Sequence, residues 1–203
     1  MLILLPAPLK RIGQSLNLPV HEIPSDRASF RTWEPPPHFA IDPPPPSRLL
    51  VSASFGRILS NRLLSFFAPG RRLNVHPSLL PAYRGASPIQ YTIMDGQQKT
   101  GVCVIEMMER KKGIDAGSIW GVSENTVCRD LISPKDVTDP PQTVPDGTDF
   151  RVLRDELGVQ GGRLLVSVLR DMLEGKVRFT TWHHEIPVLT CLSRCRLRLC
   201  RKR

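Results

Sequence analysis

The chain has 203 residues, 40% of them apolar, which is enough for one ordinary α/β domain with a real core. It contains no stretch near the roughly 18 consecutive apolar residues that a membrane span requires. The net charge of +9 is unevenly spread: Arg194, Arg196, Arg198, Arg201, Lys202 and Arg203 crowd the last ten residues, so the remainder supports only a mild preference for polyanions.

Five cysteines (Cys103, Cys128, Cys191, Cys195 and Cys200) form no even framework and follow no secretory signal, a usage that points to a reducing intracellular compartment. The apolar opening from Met1 to Pro8 is too short for a signal peptide. Met1 to Pro19 also lacks the Arg- and Ser-rich amphipathic pattern of a mitochondrial transit peptide.

In chain order, Leu9, Ile12 and Leu16 recur at helical spacing and lead into Leu18 to Ile23, a helix turning into a short strand over 1–23. Residues 24–47 contain Pro35 to Pro37 and Pro43 to Pro46. Such runs donate no backbone hydrogen bonds and read as an extended loop or stiff linker. From Arg48 the pattern tightens. Leu49 to Phe55 is an apolar run ending at Gly56, as in a buried parallel strand, and Ile58 to Phe67 has largely helical spacing. Leu73 to His76 reads as a second strand, and Pro88 to Met94 as a helix opened by its proline. Gly101 to Met107 is a third strand and Ser118 to Val122 a fourth, with a polar loop over 123–147. Phe150 to Leu157 and Gln160 to Leu173 read as two helices. Residues 48–176 thus form the packable core, and 177–203 a basic Cys/Arg tail without regular structure.

The densest chemistry lies in Asn74-Val-His76-Pro-Ser-Leu-Leu-Pro-Ala-Tyr-Arg84-Gly-Ala-Ser-Pro88. On a strand, residues i and i+2 share a face, so Asn74 and His76 would share one pocket. An amide donor beside an imidazole suits a carbonyl that gains negative charge under nucleophilic attack, and a carboxylate at Asp115 would hold the imidazolium form. The same residues also read as a turn cap at Asn74, a satisfied core imidazole at His76 and an Asx-turn at Asp115. Spacing alone favours that second reading. Arg84 is open between a loop cap and a guanidinium that engages a carboxylate or phosphate.

Asn74-Val-His-Pro-Ser-Leu-Leu-Pro-x-x-Arg-Gly-Ala-Ser-Pro-Ile-Gln90, followed by Thr100-Gly-Val and Ile114-Asp-Ala-Gly117, closely resembles the folate-dependent formyltransferase family, in its methionyl-tRNA branch. The resemblance implies an α/β fold: a partial Rossmann-like formyltransferase sheet with flanking helices, truncated at both ends, its N-terminal strands missing and its C-terminal tRNA-binding domain absent. It implies Asn74, His76 and Asp115 as the catalytic triad of formyl transfer from 10-formyltetrahydrofolate to methionyl-tRNA, without a metal. It also implies Ser78, Leu79, Leu80 and Pro81 as the folate loop, with Phe55, Gly56, Ile58 and Leu59 lining the pteridine side. Arg84 falls where the family meets the aminoacyl end.

Initiator methionyl-tRNA and folate follow as partners of a monomer with no membrane association. The mitochondrial matrix follows as the compartment, with the cytoplasm as the other choice. Glycinamide ribonucleotide or an amino sugar remain as other acceptors, as does an inactive fragment. The tail offers three readings: zinc ligands at His183, His184, Cys191, Cys195 and Cys200, a basic arm for tRNA phosphates, or a mis-spliced end. The cysteine spacings and the lack of a second pair disfavour zinc. The abrupt change of composition favours the last.

Overall fold

The computed structural model describes residues 8–39, 41–97, 99–127, 149–176, 178–183 and 186–191. The chain divides into two units, residues 1–40 and 41–203.

In the first unit, helix α1 (Pro8–Ser15) ends on Asn17, whose φ of 53° lies in the left-handed region. The amide of Asn17 donates to the Gln14 carbonyl at 3.1 Å and that of Leu18 to the Gly13 carbonyl at 2.9 Å. That paired return is a Schellman stop, and it spends on a helix carbonyl the Leu18 amide, the first donor that a strand over 18–23 would use. The expected strand is accordingly absent. Within the Pro-rich stretch, expected to be linker, Asp26 caps helix α2 (Arg27–Thr32) by accepting from the Ser29 amide at 2.7 Å, and Phe30 is its buried residue. A short 3-10 turn follows at Pro37–Phe39.

Among the described residues, the second unit holds a mixed six-stranded sheet in the order β1 to β6. Strand β1 (Leu50–Ala53) pairs parallel with β2 (Arg72–His76), and every later neighbour is antiparallel: β3 (Lys99–Glu106), β4 (Ile119–Val127), β5 (Arg178–His183) and β6 (Ile186–Cys191). A parallel pair needs a crossover, supplied here by the segment containing α3 (Asn61–Ser65). Ser60 starts α3 by accepting from the Leu63 amide at 3.3 Å. The extended backbone of Ser60, with φ −70° and ψ 155°, keeps the residues from Ile58 out of the helix, which is why α3 is shorter than its apolar spacing suggests. Strand β1 is less buried than expected, with Val51 and Ala53 exposed.

The sheet has two differently used faces. On one, Leu73, Val75, Val102 and Val104 pack under α5 (Phe150–Leu173) through Leu153, Leu157, Leu164 and Val168. On the other, Cys103, Ile105 and Ile119 pack against Leu80. Strand β4 serves both by a bulge. Ile119 faces Ile105 and Gly121 faces Val104, so Trp120 is the extra residue.

Three further expectations need correction. The polar stretch after Val122 is β4 as far as Val127; 128–148 lie outside the described residues. The two helices expected over 150–173 are one of 24 residues. The helix runs on through Gly158 and Val159, where the two were expected to part, and a Cβ at Gly161 would stand 2.8 Å from Val75 Cγ1, so this glycine lets the helix approach β2. The tail after Gly175, expected to lack structure, forms the β5–β6 antiparallel hairpin; 192–203 lie outside the described residues.

A Cβ at Gly158 meets nothing within 4 Å. Gly158→Ala is therefore expected to stabilise the chain by about 0.5–1 kcal/mol through helix propensity, read as a raised urea midpoint. An unchanged or lowered midpoint contradicts this placement.

Candidate active site

Asn74 and His76 alternate with Leu73 and Val75 on β2, so the sheet pleat puts the polar pair on the face away from α5. In register, Asn74 lies opposite Ile105 and His76 opposite Cys103. β1 and β2 run parallel, with Ala53 beside Val75, so the loop leaving β1 and the loop leaving β2 emerge at one end of the sheet. In open α/β sheets that end is where ligands bind.

The loop after His76 is tied down by its own polar groups. Ser78 is fully buried: its amide donates to the His76 carbonyl at 2.9 Å and its hydroxyl to the Ala82 carbonyl at 2.8 Å. Leu80 is buried against Cys103, Ile105 and Ile119. Tyr83 takes a φ of 56°, and its carbonyl stands 2.9 Å from His76 Nε2. Its phenol donates to Asp95 Oδ2 at 2.9 Å, at the end of α4 (Pro88–Met94). Burial first, then the Asp95 carboxylate, push the phenol's pKa up, so it remains a donor.

Asp115 arrives from the far side of β3. Gly113, with a φ of 100°, and Asp115 itself, with a φ of 49°, turn the chain back over β2. The Asp115 carboxylate then gathers three nitrogens. Oδ1 accepts from Asn74 Nδ2 at 3.3 Å and Oδ2 from the Gly85 amide at 3.0 Å. Oδ2 also stands 3.5 Å from His76 Nδ1, an ion-pair distance when the ring is charged. The side chains of His76 and Asp115 are only 4% and 15% exposed, so this pair interacts in a medium far less screening than water.

The three residues singled out in the sequence as acid–base and oxyanion groups therefore meet. One Asn74 amide hydrogen goes to Asp115. Such a cluster can hold an imidazolium, stabilise a developing oxyanion and move a proton.

The remaining sequence candidates divide. Ser78 and Leu80 are turned inward and shape the loop, whereas Pro81 is exposed and Leu79 half-buried. Phe55, Gly56 and Ile58 are exposed at the β1 end and Leu59 is half-buried. Arg84 is exposed at the rim, between the residue that meets His76 and the residue that holds Asp115. Sequence reasoning missed Tyr83, Gly85 and Asp95. Two of these act through backbone atoms, which leave no side-chain signal. Gly85, with a φ of 87°, is the one a turn argument could have found. Among the described residues no three His, Cys, Asp or Glu side chains gather as a metal set, and His184, Cys195 and Cys200 lie outside those residues.

Comparison with known proteins converges on the same segment. The formyl transferase family matches residues 46–137, which include Asn74, His76 and Asp115. The methionyl-tRNA formyltransferase of Listeria monocytogenes is 35% identical over 178 residues, 88% of this chain and 48% of the relative. That of a Sulfurihydrogenibium species is 30% identical over 180 residues, 89% and 49% of the respective chains. The chain thus spans about half the length of these relatives. Among solved structures, glycinamide ribonucleotide transformylase 1 of Symbiobacterium toebii superposes with a TM-score of 0.58 at 21% identity. That match covers 88% of this chain and 73% of the other, a likeness of fold. Glycinamide ribonucleotide transformylase 1 of Geobacillus kaustophilus gives 0.56 at 23% identity, covering 82% and 78%. The match of residues 46–137 to that family covers a little under half of the chain and takes in strands β1 to β4.

Proposed function

We propose that this chain transfers a formyl group from 10-formyltetrahydrofolate to the amino group of methionyl-tRNA. The observation that carries the reading is the meeting of Asn74, His76 and Asp115 at the ligand-binding end of β2. Transfer needs an oxyanion donor, a proton source for the departing nitrogen and a group to balance the proton source's charge. Asn74 supplies the first, the His76 imidazolium the second and Asp115 the third. The amine adds to the formyl carbon, the tetrahedral oxyanion takes hydrogen bonds from Asn74 and His76, and the carbon–nitrogen bond to folate breaks. The proton lost by the amine is balanced by the one gained at the folate nitrogen.

The loops after β1 and β2, carrying Phe55 to Leu59 and Ser78 to Pro81, are proposed to hold the folate, and Arg84 at the rim to meet the aminoacyl end. The methionyl-tRNA acceptor is supported by the 30–35% identity to formyltransferases of that name and by Tyr83-Arg-Gly-Ala-Ser-Pro-Ile-Gln90. With it come a role in translation initiation, initiator methionyl-tRNA as partner, a monomeric state and the mitochondrial matrix as compartment, to be checked by fractionation.

The direct experiment supplies 10-formyltetrahydrofolate with methionyl-tRNA, glycinamide ribonucleotide and an amino sugar nucleotide in turn, and follows formyl incorporation. Incorporation into methionyl-tRNA is expected. Transfer to either small acceptor without transfer to methionyl-tRNA overturns the choice.

A further inference from the structure

A carbonyl oxygen only accepts hydrogen bonds, so the 2.9 Å contact between His76 Nε2 and the Tyr83 carbonyl requires a hydrogen on Nε2. The other nitrogen, Nδ1, faces Asp115 Oδ2 at 3.5 Å. In the neutral ring with hydrogen on Nε2, Nδ1 carries the lone pair. In the cation, both nitrogens have an acceptor before them. Around the ring stand Asn74 on the same strand face, Cys103 across the register, the Tyr83 carbonyl and the Asp115 carboxylate. We propose that the Tyr83 carbonyl, held in place by the Tyr83–Asp95 bond, locks the hydrogen on His76 Nε2 and makes Nδ1 the nitrogen that exchanges the catalytic proton.

The carbonyl's direction is not intrinsic to the loop. Tyr83 sits at a φ of 56°, which a non-glycine residue adopts only when its surroundings hold it. On one side the Ser78 hydroxyl fixes the Ala82 carbonyl, and two residues on the Gly85 amide binds Asp115. Between these, the phenol reaches out of the loop to Asp95 beyond α4. Tyr83 and Asp95 are thus positioning residues, acting on the reaction through His76 alone. In the transfer, the Nδ1 proton passes to the folate nitrogen as its bond to carbon breaks. The proton shed by the attacking amine returns to Nδ1, and the ring ends in its starting state.

The kinetic part of this inference rests on the formyl-transfer reading; the tautomer part does not. The test uses the full chain with nitrogen-15 histidine and long-range proton–nitrogen NMR. The neutral His76 ring is expected to carry its hydrogen on Nε2. Tyr83→Phe and Asp95→Ala are each expected to give mixed tautomers. Each should also lower kcat about tenfold, the worth of one hydrogen bond to a charged group, with KM for the formyl donor nearly unchanged. Asp95→Asn, which still offers the phenol an oxygen, should restore both the spectrum and kcat. A hydrogen on Nδ1 in the parent chain, or an unaltered His76 spectrum in folded Tyr83→Phe and Asp95→Ala, overturns the proposal. If the parent transfers no formyl group while the variants still shift the tautomer, the function falls and the positioning role stands.

Discussion

Asp115→Asn is expected to lower formyl transfer to methionyl-tRNA by about 100-fold or more, the scale of losing one acid–base partner. The substitution is isosteric, yet it removes the negative charge facing His76 Nδ1. It also replaces one of the two oxygens that accept from Asn74 and the Gly85 amide with a nitrogen that donates. One of those donors loses its acceptor, which costs about 1–3 kcal/mol of stability. The chain should therefore still melt cooperatively while turnover collapses. The fall should appear in kcat, because a charge balancing the imidazolium matters most when the proton moves. Activity within about threefold of the parent, far short of the loss that acid–base groups cause, would remove Asp115 from the proposed mechanism.

Gly117→Ala is expected to destabilise the chain by about 3 kcal/mol, the upper part of the usual range for overpacking a well-filled site. A Cβ there would stand 1.9 Å from the Glu106 carbonyl oxygen, 2.9 Å from its carbon and 3.0 Å from Met108 Cγ. The first two neighbours are backbone and cannot rotate away. They belong to the end of β3, where the Glu106 amide donates to the Ser118 carbonyl at 2.9 Å. Relief requires parting β3 from the start of β4, and Asp115 lies only two residues upstream. Urea unfolding and transfer assays on the same preparation should show a lowered midpoint and lost activity together. A variant as stable as the parent would mean that the approach to Glu106 is not as close as described.

Asn74 and His76 were legible because a strand has a period of two, and alternation with Leu73 and Val75 leaves little choice of face. The helix at Pro88 and strand β3 were equally readable, one from its first proline and the other from its apolar run. Asp115 carries no such signal. It reaches the pair only through a return over β2 that depends on Gly113 and Gly117, and resemblance had to supply what periodicity lacked. The long helix α5 was read as two because Gly158 weakens a helix in isolation, yet the helix runs through it. At Gly161 the missing side chain makes room for Val75, a tertiary contact invisible in the local sequence. The strand expected over 18–23 failed on backbone hydrogen bonding, since the Schellman stop had already used its first donor, the Leu18 amide.

That contact between Gly161 and Val75 bears on how the site is held. Val75 lies between Asn74 and His76 in sequence, with its side chain against α5. The strand that presents the two polar side chains is thus braced from behind by a helix close enough that a Cβ at Gly161 would stand 2.8 Å from Val75. Such bracing sets their spacing when the chain folds. Dipoles fixed in this way need little reorganisation as charge develops on a substrate oxygen, which is the condition for preorganised electrostatic catalysis.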